Sequence, residues 1–579
     1  MTGKIDTDKS DIKKLFKDFF FLIPNYQRHY VWQIDNVNKL LTNIYDHSKA
    51  QSSIKDEDKE EYFLGSLVLQ KKGKTYDVLD GQQRLTTILL TMTVLRDISQ
   101  DKFKCDQYIK VSKNDFEEIY NDTNRIEFQI RDDVGEFAQK YIYNYEENLD
   151  INVKYLKIEQ EKDNKNTSKK NMAIALCEIK RFLTELDETE LKNFVKTLLN
   201  NVVIIYVSTE NQEDAFRMFT VLNSSGVPLS GADILKSMNL GAVDSSERTK
   251  YAKKWENIEK LFGEEDFDRF LSHIRTLIVR QRARSTLLNE FQNIIYNKTT
   301  PKLNMGKDTI SYIEEFAQIY SKIILLSPID ENKNPNTLDN KYKNFIEVLN
   351  SGFASTDWIP PLLYFYKKYG EDYLYDFLVK LESKALGDVI CKEFATKRID
   401  NLNKIVSFIE ESKSVSEVLN NESLFKVDKK TVINTIKNDS VYGRSYDKYL
   451  LLKYEYKMQD NSSHISGYTN LSIEHVLPQT PEENSQWCKD FSEEERNFWT
   501  HNIANLILIN FRKNSALSNS EFDVKKKILK EKIKDKFQGS YEVLNENNWS
   551  IATLKERQKR ILKELFDYED ESNEDNIKE

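Results

Sequence analysis

Apolar positions fall into short unbroken runs at a few places along the chain and into helical spacing almost everywhere else. YFLGSLVLQ, residues 62–70, reads as a strand, and the charged turn KKGK leads into a second one that ends in DVLD. Past Asp80-Gly81 the period changes: Leu85, Ile88, Leu89 and Met92 recur at helical spacing. NVVIIYVS, residues 201–208, is a third buried strand. LSIEHVLPQT, 471–480, reads as a strand ending in Glu474-His475, and NLILI, beginning at Asn505, as its partner. Elsewhere the pattern predicts helices. One is a short amphipathic helix over 9–20 with Ile12, Leu15, Phe16 and Phe19 on one side, and another covers 36–47. Residues 100–200 are mostly charged and helical and read as an insertion. Residues 213–237 read as helix, loop, helix. DRFLSHIRTLIVRQRARS, 268–285, carries five arginines around an apolar stripe, the pattern of a solvated helix face. TDWIPPLLYFYKKY, 356–369, reads as a buried helix with prolines in its first turn.

The predicted fold class is α+β and predominantly helical. The expected division is 1–240, with its insertion at about 100–200, then a helical middle at 241–435, a C-terminal domain at 436–565 and an acidic, disordered tail at 566–579. Sixteen glycines and nine prolines in 579 residues argue against long flexible linkers. The net charge of -9 excludes a basic nucleic-acid coat but leaves room for local DNA-binding patches. Four scattered cysteines without a CxxC exclude a cysteine zinc site or a disulfide framework, and suit a reducing cytoplasm. The N-terminus MTGKIDTDKSDIKKLF is polar and charged, so no secretory leader is expected, and no apolar run reaches transmembrane length.

Three stretches carry candidate chemistry. A strand that turns on Gly81 into a helix N-terminus gathers backbone N–H groups, a geometry that favours an anion such as phosphate. Gln82, Gln83 and Arg84 add donors there. The competing reading is a helix capped by Asp80 with two exposed glutamines. In FLIPNYQRHYVW, residues 21–32, Tyr26, Tyr30 and Trp32 could stack on a base beside the amide and cationic groups of Gln27 and Arg28. A buried aromatic strand is the plainer reading of that segment alone. The third stretch, acid–His at a strand end, then Asn-Leu, then a helix with a polar residue before it, matches the ββα-metal plan of HNH nucleases. Phosphodiester hydrolysis needs a base to activate water, and a neutral imidazole suits that task. It also needs a cation against the developing charge, and oxygen ligands suit Mg²⁺. His475 would be the base, and Glu474 and Asn514 would hold Mg²⁺ or Mn²⁺. Asn505 would brace the loop bearing His475. The lysines from Lys525 through Lys526, Lys527 and Lys530 would meet the phosphate backbone.

Taken jointly, six segments resemble the GmrSD family of modification-dependent (type IV) restriction endonucleases. They are FLIPNYQRHYVW, YFLGSLVLQ, DVLDGQQRLTT, FTVLNSSGVPLSGADILKS, IEHVLPQT and NLILINFRKNSALSN, in family order across residues 21–519. The resemblance implies a ParB/sulfiredoxin-like N-terminal domain in which Asp80, Gly81, Gln82, Gln83 and Arg84, with Gln27 and Arg28, bind and hydrolyse an NTP, either GTP or ATP. It implies an HNH-type (His-Me finger) C-terminal endodeoxyribonuclease. The implied substrate is double-stranded phage or foreign DNA with glucosylated hydroxymethylcytosine or backbone phosphorothioate. The stacking residues Tyr26, Tyr30 and Trp32 are the expected sensors of the modification. Cutting both strands with one metal site per chain is the reason to expect a homodimer. Glu474 stands where Asp is common, Asn514 where His is common, and Ala504 where a Gly often precedes Asn-Leu. A different class remains open beside this one: an anti-phage sensor or NTPase whose nuclease-like domain nicks host DNA or only docks DNA.

Overall fold

In a computed structural model the chain divides into two compact units, 1–256 with 305–310, and 257–304 with 311–579. The structure describes residues 5–568 apart from 25–26, 28–29, 55–58, 112–122, 130–131, 146–149, 165, 211–214, 216–217, 219–230, 328–336, 462–470, 511–516 and 532–536. The loop expected before residue 231 and most of the acidic tail therefore lie outside the described residues.

The first unit is built on a mixed sheet. Its strands are β1 (Ile5–Asp11), β2 (Phe20–Ile23), β3 (Tyr62–Lys72), β4 (Thr75–Asp80), β7 (Ile126–Phe128) and β8 (Val202–Thr209), while β5 (Lys110–Val111) and β6 (Thr123–Asn124) form a separate pair. The spatial order is β1-β8-β3-β4-β2-β7. β8 runs antiparallel to β1 and parallel to β3, β3 and β4 form an antiparallel hairpin, and β2 is parallel to both β4 and β7. The expected helix over 9–20 begins later. Residues up to Asp11 belong to β1, and Asp11 accepts from Lys14 N to cap the helix Ile12–Asp18.

The helix Gln82–Ser99 is buried along most of its length, including Leu85, Leu89 and Met92. Residues 100–200 are no appendage to this core. They add β7 to one sheet edge and the helices Ile151–Gln160, Thr167–Thr184 and Glu188–Asn200, whose Ile158, Leu176, Ile179 and Phe194 join the same apolar cluster as Phe16, Phe21 and Val78. A charged helix needs only one apolar stripe to do this.

The second unit is mostly helical around the antiparallel pair β9 (Leu471–His475) and β10 (Leu506–Asn510). Its middle helices pack against the helix Asp447–Met458. Phe345 stacks on Tyr456 with ring centres 5.0 Å apart, and Glu382 holds buried Lys453 at 2.8 Å and the Tyr449 hydroxyl at 2.8 Å. Prolines do open the buried helix Ile359–Tyr369. The arginine-rich stretch departs from its expected solvated face: Arg275 is buried, and its Nε bonds Glu290 at 3.0 Å.

Candidate active site

β9 and β10 pair in a register that sets His475 opposite Leu506. They are joined by residues 476–505, which contain the helices Gln486–Asp490 and Glu493–Trp499, so the connection is not a tight hairpin. Trp487, Phe491 and Trp499 from this connection fill a core with Ile507, Leu529 and Trp549, which fixes the strand ends.

Asn505 is fully buried and uses both ends of its amide. Its Oδ1 accepts from Leu477 N at 2.7 Å and from Trp549 Nε1 at 3.1 Å. Its Nδ2 donates to Leu477 O at 2.8 Å and Thr500 O at 2.9 Å. Leu477 lies two residues past His475, so Asn505 clamps the segment that leaves the histidine.

His475 is buried and meets a second histidine that sequence reasoning assigned no role. His475 Nε2 lies 3.2 Å from His501 Nδ1, and Gln479 Nε2 lies 3.3 Å from His475 Nδ1. With the Gln479 amide as donor, Nδ1 accepts, and the His475 proton sits on Nε2 and is donated to His501. Tyr442 closes the group, edge-on to His475 at 4.4 Å and stacked on His501 at 5.4 Å between ring centres. Burial, with the His501 and Lys525 charges adding to it, pushes the His475 pKa down to about 3, so the ring is neutral near pH 7. Burial also lowers His501. The basic lone pair of His475 thus points toward Gln479, an exposed side chain. The missed signal was His501 itself, one of only six histidines, four residues before Asn505.

Lys525 is not where its expected role would put it, and it engages Glu474. Lys525 is buried, not displayed toward a phosphate backbone. Its Nζ donates to Glu474 Oε1 at 2.7 Å and to the main-chain oxygen of His475 at 2.6 Å. A buried, acid-paired lysine arises because position 525 lies on the inner stripe of the helix Phe522–Glu531, beside buried Leu529. Burial raises the Glu474 carboxyl and lowers the Lys525 ammonium, each against the pull of its partner. Lys526 donates to Glu546 O, and Lys527 and Lys530 are exposed on the same helix. Asn514 lies outside the described residues. Among the described residues no three His, Cys, Asp or Glu side chains surround a common point as metal ligands. Glu474, the one described oxygen donor of the expected pair, has an ammonium on Oε1, so a cation there would need its other oxygen or the departure of Lys525.

At the other candidate site, Gly81 has φ 90°, a left-handed conformation, and Leu85 N donates back to Gly81 O at 3.0 Å to start the helix. A Cβ at Gly81 would lie 2.2 Å from Leu67 Cδ2. Asp80 is not the cap, and the two glutamines are buried rather than exposed. Gln83 Oε1 accepts from Val31 N at 3.0 Å and Trp32 N at 3.3 Å, and Gln27 Nε2 donates to Leu79 O at 3.0 Å. Arg84 donates to Ser66 O at 2.8 Å and Leu64 O at 3.3 Å and lies 3.7 Å from Asp80. Gly65, at a register shift in β3, leaves the space that guanidinium fills. Tyr26 and Arg28 lie outside the described residues. Tyr30 is buried, its hydroxyl 2.8 Å from Thr87 Oγ1, so it is a core residue with no face for a base. Trp32 is half-buried against the same core. The space bordered by Tyr30, Gln82 and Gln83 measures about 10 Å³, the size of one water.

Residues 11–240 match the family model of the GmrSD restriction endonuclease N-terminal domain, and residues 427–564 match that of the GmrSD restriction endonucleases' C-terminal domain. No curated protein matches the chain. Both halves, in this order, define a restriction endonuclease acting on modified DNA. The chain belongs to the GmrSD family of type IV restriction endonucleases. DNA is accordingly its partner, and no helix among the described residues is long and apolar enough to cross a membrane.

Proposed function

We propose that this chain is a nucleotide-regulated, metal-dependent endonuclease of the HNH type that cuts modified phage or foreign DNA. The observation that carries the reading is the neutral His475, held at the end of β9 by His501 and followed by a segment that Asn505 clamps. A neutral ring fixed in position can accept a proton from water, but a pKa held down to about 3 by burial makes it a weak base, so the bound phosphate would have to raise its basicity. In this reading Gln479 swings away from Nδ1, water replaces it, and His475 takes one of its protons as the water oxygen bonds to phosphorus; the P–O bond to the departing deoxyribose breaks, and that oxygen takes a proton from solvent. His501 accepts the hydrogen bond from Nε2 throughout and keeps the tautomer fixed. Glu474 and Asn514 would hold Mg²⁺ or Mn²⁺, which supplies positive charge against the pentavalent transition state. Exposed Lys527 and Lys530 would contact phosphates.

The DGQQR turn is proposed as the control site, binding GTP or ATP and hydrolysing it. The support is Gly81 at the start of a long buried helix, with Arg84 in the first turn and Gln27 alongside. Trp32 and Tyr26 remain the aromatic candidates for sensing a modified base, glucosylated hydroxymethylcytosine or a phosphorothioate-linked nucleotide. A homodimer would bring two cutting sites to the two strands.

The test is cleavage of a panel of phage DNAs of defined modification, with Mg²⁺ and with or without GTP or ATP. Cleavage confined to modified DNA and altered by nucleotide is the expected result. DNA that binds with no strand cut under any condition would leave a sensor that only docks DNA.

A further inference from the structure

The arginine-rich stretch of the second unit ends in an exposed loop, residues 281–286, that carries Arg282 and Arg284. Neither guanidinium meets an acid among the described residues. Arg282 Nη1 donates to a neutral group, Thr396 Oγ1, at 2.5 Å, and only the main chain of Arg284 is bonded. Asp357 borders the same cleft as Arg282 but is not paired with it among the described residues, and accepts from the Ser355 hydroxyl at 2.9 Å. The other arginines of the stretch are answered: Arg269 lies on Asp266 at 3.0 Å, Arg275 on Glu290 at 3.0 Å, and Arg280 pairs with Glu410.

One buried ion pair holds the loop at both ends. Arg275 and Glu290 are 3% and 1% exposed. The Arg275 guanidinium that meets Glu290 Oε2 also donates to the main-chain oxygen of Gln281. Glu290 Oε1 accepts from Arg284 N at 2.8 Å, Ser285 N at 3.1 Å and the Ser285 hydroxyl at 3.2 Å. Just before the loop Arg280 takes φ 56°, the left-handed region that glycine or asparagine usually fills at a helix end. Burying two charges and straining a backbone are both costly, and a merely solvated loop gains nothing from either. A loop whose shape is used does gain, because two cations already fixed in place need little ordering on contact. The planar fork of a guanidinium fits phosphate oxygens. In a chain of net charge -9, cations without acid partners mark where a polyanion can approach.

We propose that residues 281–286 contact the phosphate backbone of duplex DNA, with Arg282 and Arg284 each engaging one phosphate. The proposal rests on the reading that the chain acts on DNA, and it adds a second set of phosphate contacts to Lys527 and Lys530. Contacts of this kind position the duplex and carry no sequence or modification preference.

The experiment is fluorescence anisotropy of a short labelled duplex with the full chain carrying His475→Ala, in EDTA, without nucleotide, over a series of salt concentrations. One duplex is plain and one contains 5-hydroxymethylcytosine. The plot of log affinity against log salt should become shallower by about 0.9 in Arg282→Ala and in Arg284→Ala, and by about 1.8 in the double variant, equally for both duplexes. Arg282→Lys with Arg284→Lys should keep the original slope, because both charges remain. The melting temperature should stay unchanged throughout, since both side chains are exposed. Arg181→Ala is the control: that arginine is exposed but held by Glu178 at 2.5 Å and Glu185 at 3.1 Å, and its removal should leave the slope as it is. An unchanged slope in the double alanine variant overturns the proposal. So does an equal change in Arg181→Ala, which would make the effect one of net charge. The expected slopes, found for a chain that cuts no DNA before His475 is replaced, would support this contact while refuting the cutting reading.

Discussion

Two strand ends in this chain gather polar side chains, and they use them differently. At the end of β4, Gln83 and Arg84 bond main-chain groups of neighbouring segments, as does Gln27. At the end of β9, Glu474 meets Lys525 and His475 meets His501, side chain to side chain. A side chain bonded to the backbone holds the fold, and releasing it leaves a carbonyl or N–H unpaired. The imidazoles of His475 and His501 can exchange partners with a substrate at smaller cost than the buried Glu474–Lys525 pair, where a charge left alone is expensive. The first arrangement suits a site that reports on its own conformation, and the second suits a site that does chemistry.

That contrast can be broken by substitution. The largest effect is expected at His475→Ala, which should slow cleavage by about 10²–10⁴-fold in a plasmid-nicking assay while DNA binding and nucleotide binding persist. Cleavage near the wild-type rate would remove His475 from the base role. Lys525→Met comes next. It leaves the Glu474 carboxylate buried without its cation, and urea unfolding should show a loss of about 3–5 kcal/mol in the second unit. The salt dependence of DNA binding should not change in that variant. Arg84→Ala should cost roughly 3 kcal/mol in the first unit, since it abandons two carbonyls of β3, and should weaken nucleotide binding. Lost stability with unchanged nucleotide affinity would make Arg84 scaffold alone.

His273 is the control for a buried imidazole away from any strand end. Its pKa is about 3 in the folded chain against about 6.5 in the unfolded one. The unfolded state therefore takes up the proton first as pH falls. This contribution to stability is complete above about pH 6.5 and shrinks as pH drops toward 3, by about 2 kcal/mol between pH 7 and pH 5. Unfolding of His273→Phe across that interval should lack this slope. The smallest effect belongs to Lys527→Ala. If that lysine meets one phosphate, its removal should make the plot of log affinity for DNA against log salt concentration shallower by about 0.9.

The strands were legible because each is a continuous apolar run: β3, β8, β9 and β10 fall where the pattern put them, and so does the turn at Gly81. Asn505 is buried and bonds the segment that leaves His475. What the sequence hid was pairing across distance. Nothing local distinguishes Lys525 from Lys527, yet one faces the core and the other solvent, two positions apart on a helix. His501 carries no local signal; only the folded chain sets its ring 3.2 Å from His475. The charge of residues 100–200 masked the single apolar stripe by which their helices join the first core.

The position of β8 has a consequence for how the chain is made. It is an interior strand, between β1 and β3, yet it is the last of the six to be synthesised. At roughly 5–20 residues per second, about 7–27 seconds separate the emergence of β3 from that of β8. Throughout that interval β1 lacks its only sheet partner and one edge of β3 stays open, so the nascent chain displays unpaired strand edges. The first unit thus closes its sheet only after its charged helices have been translated.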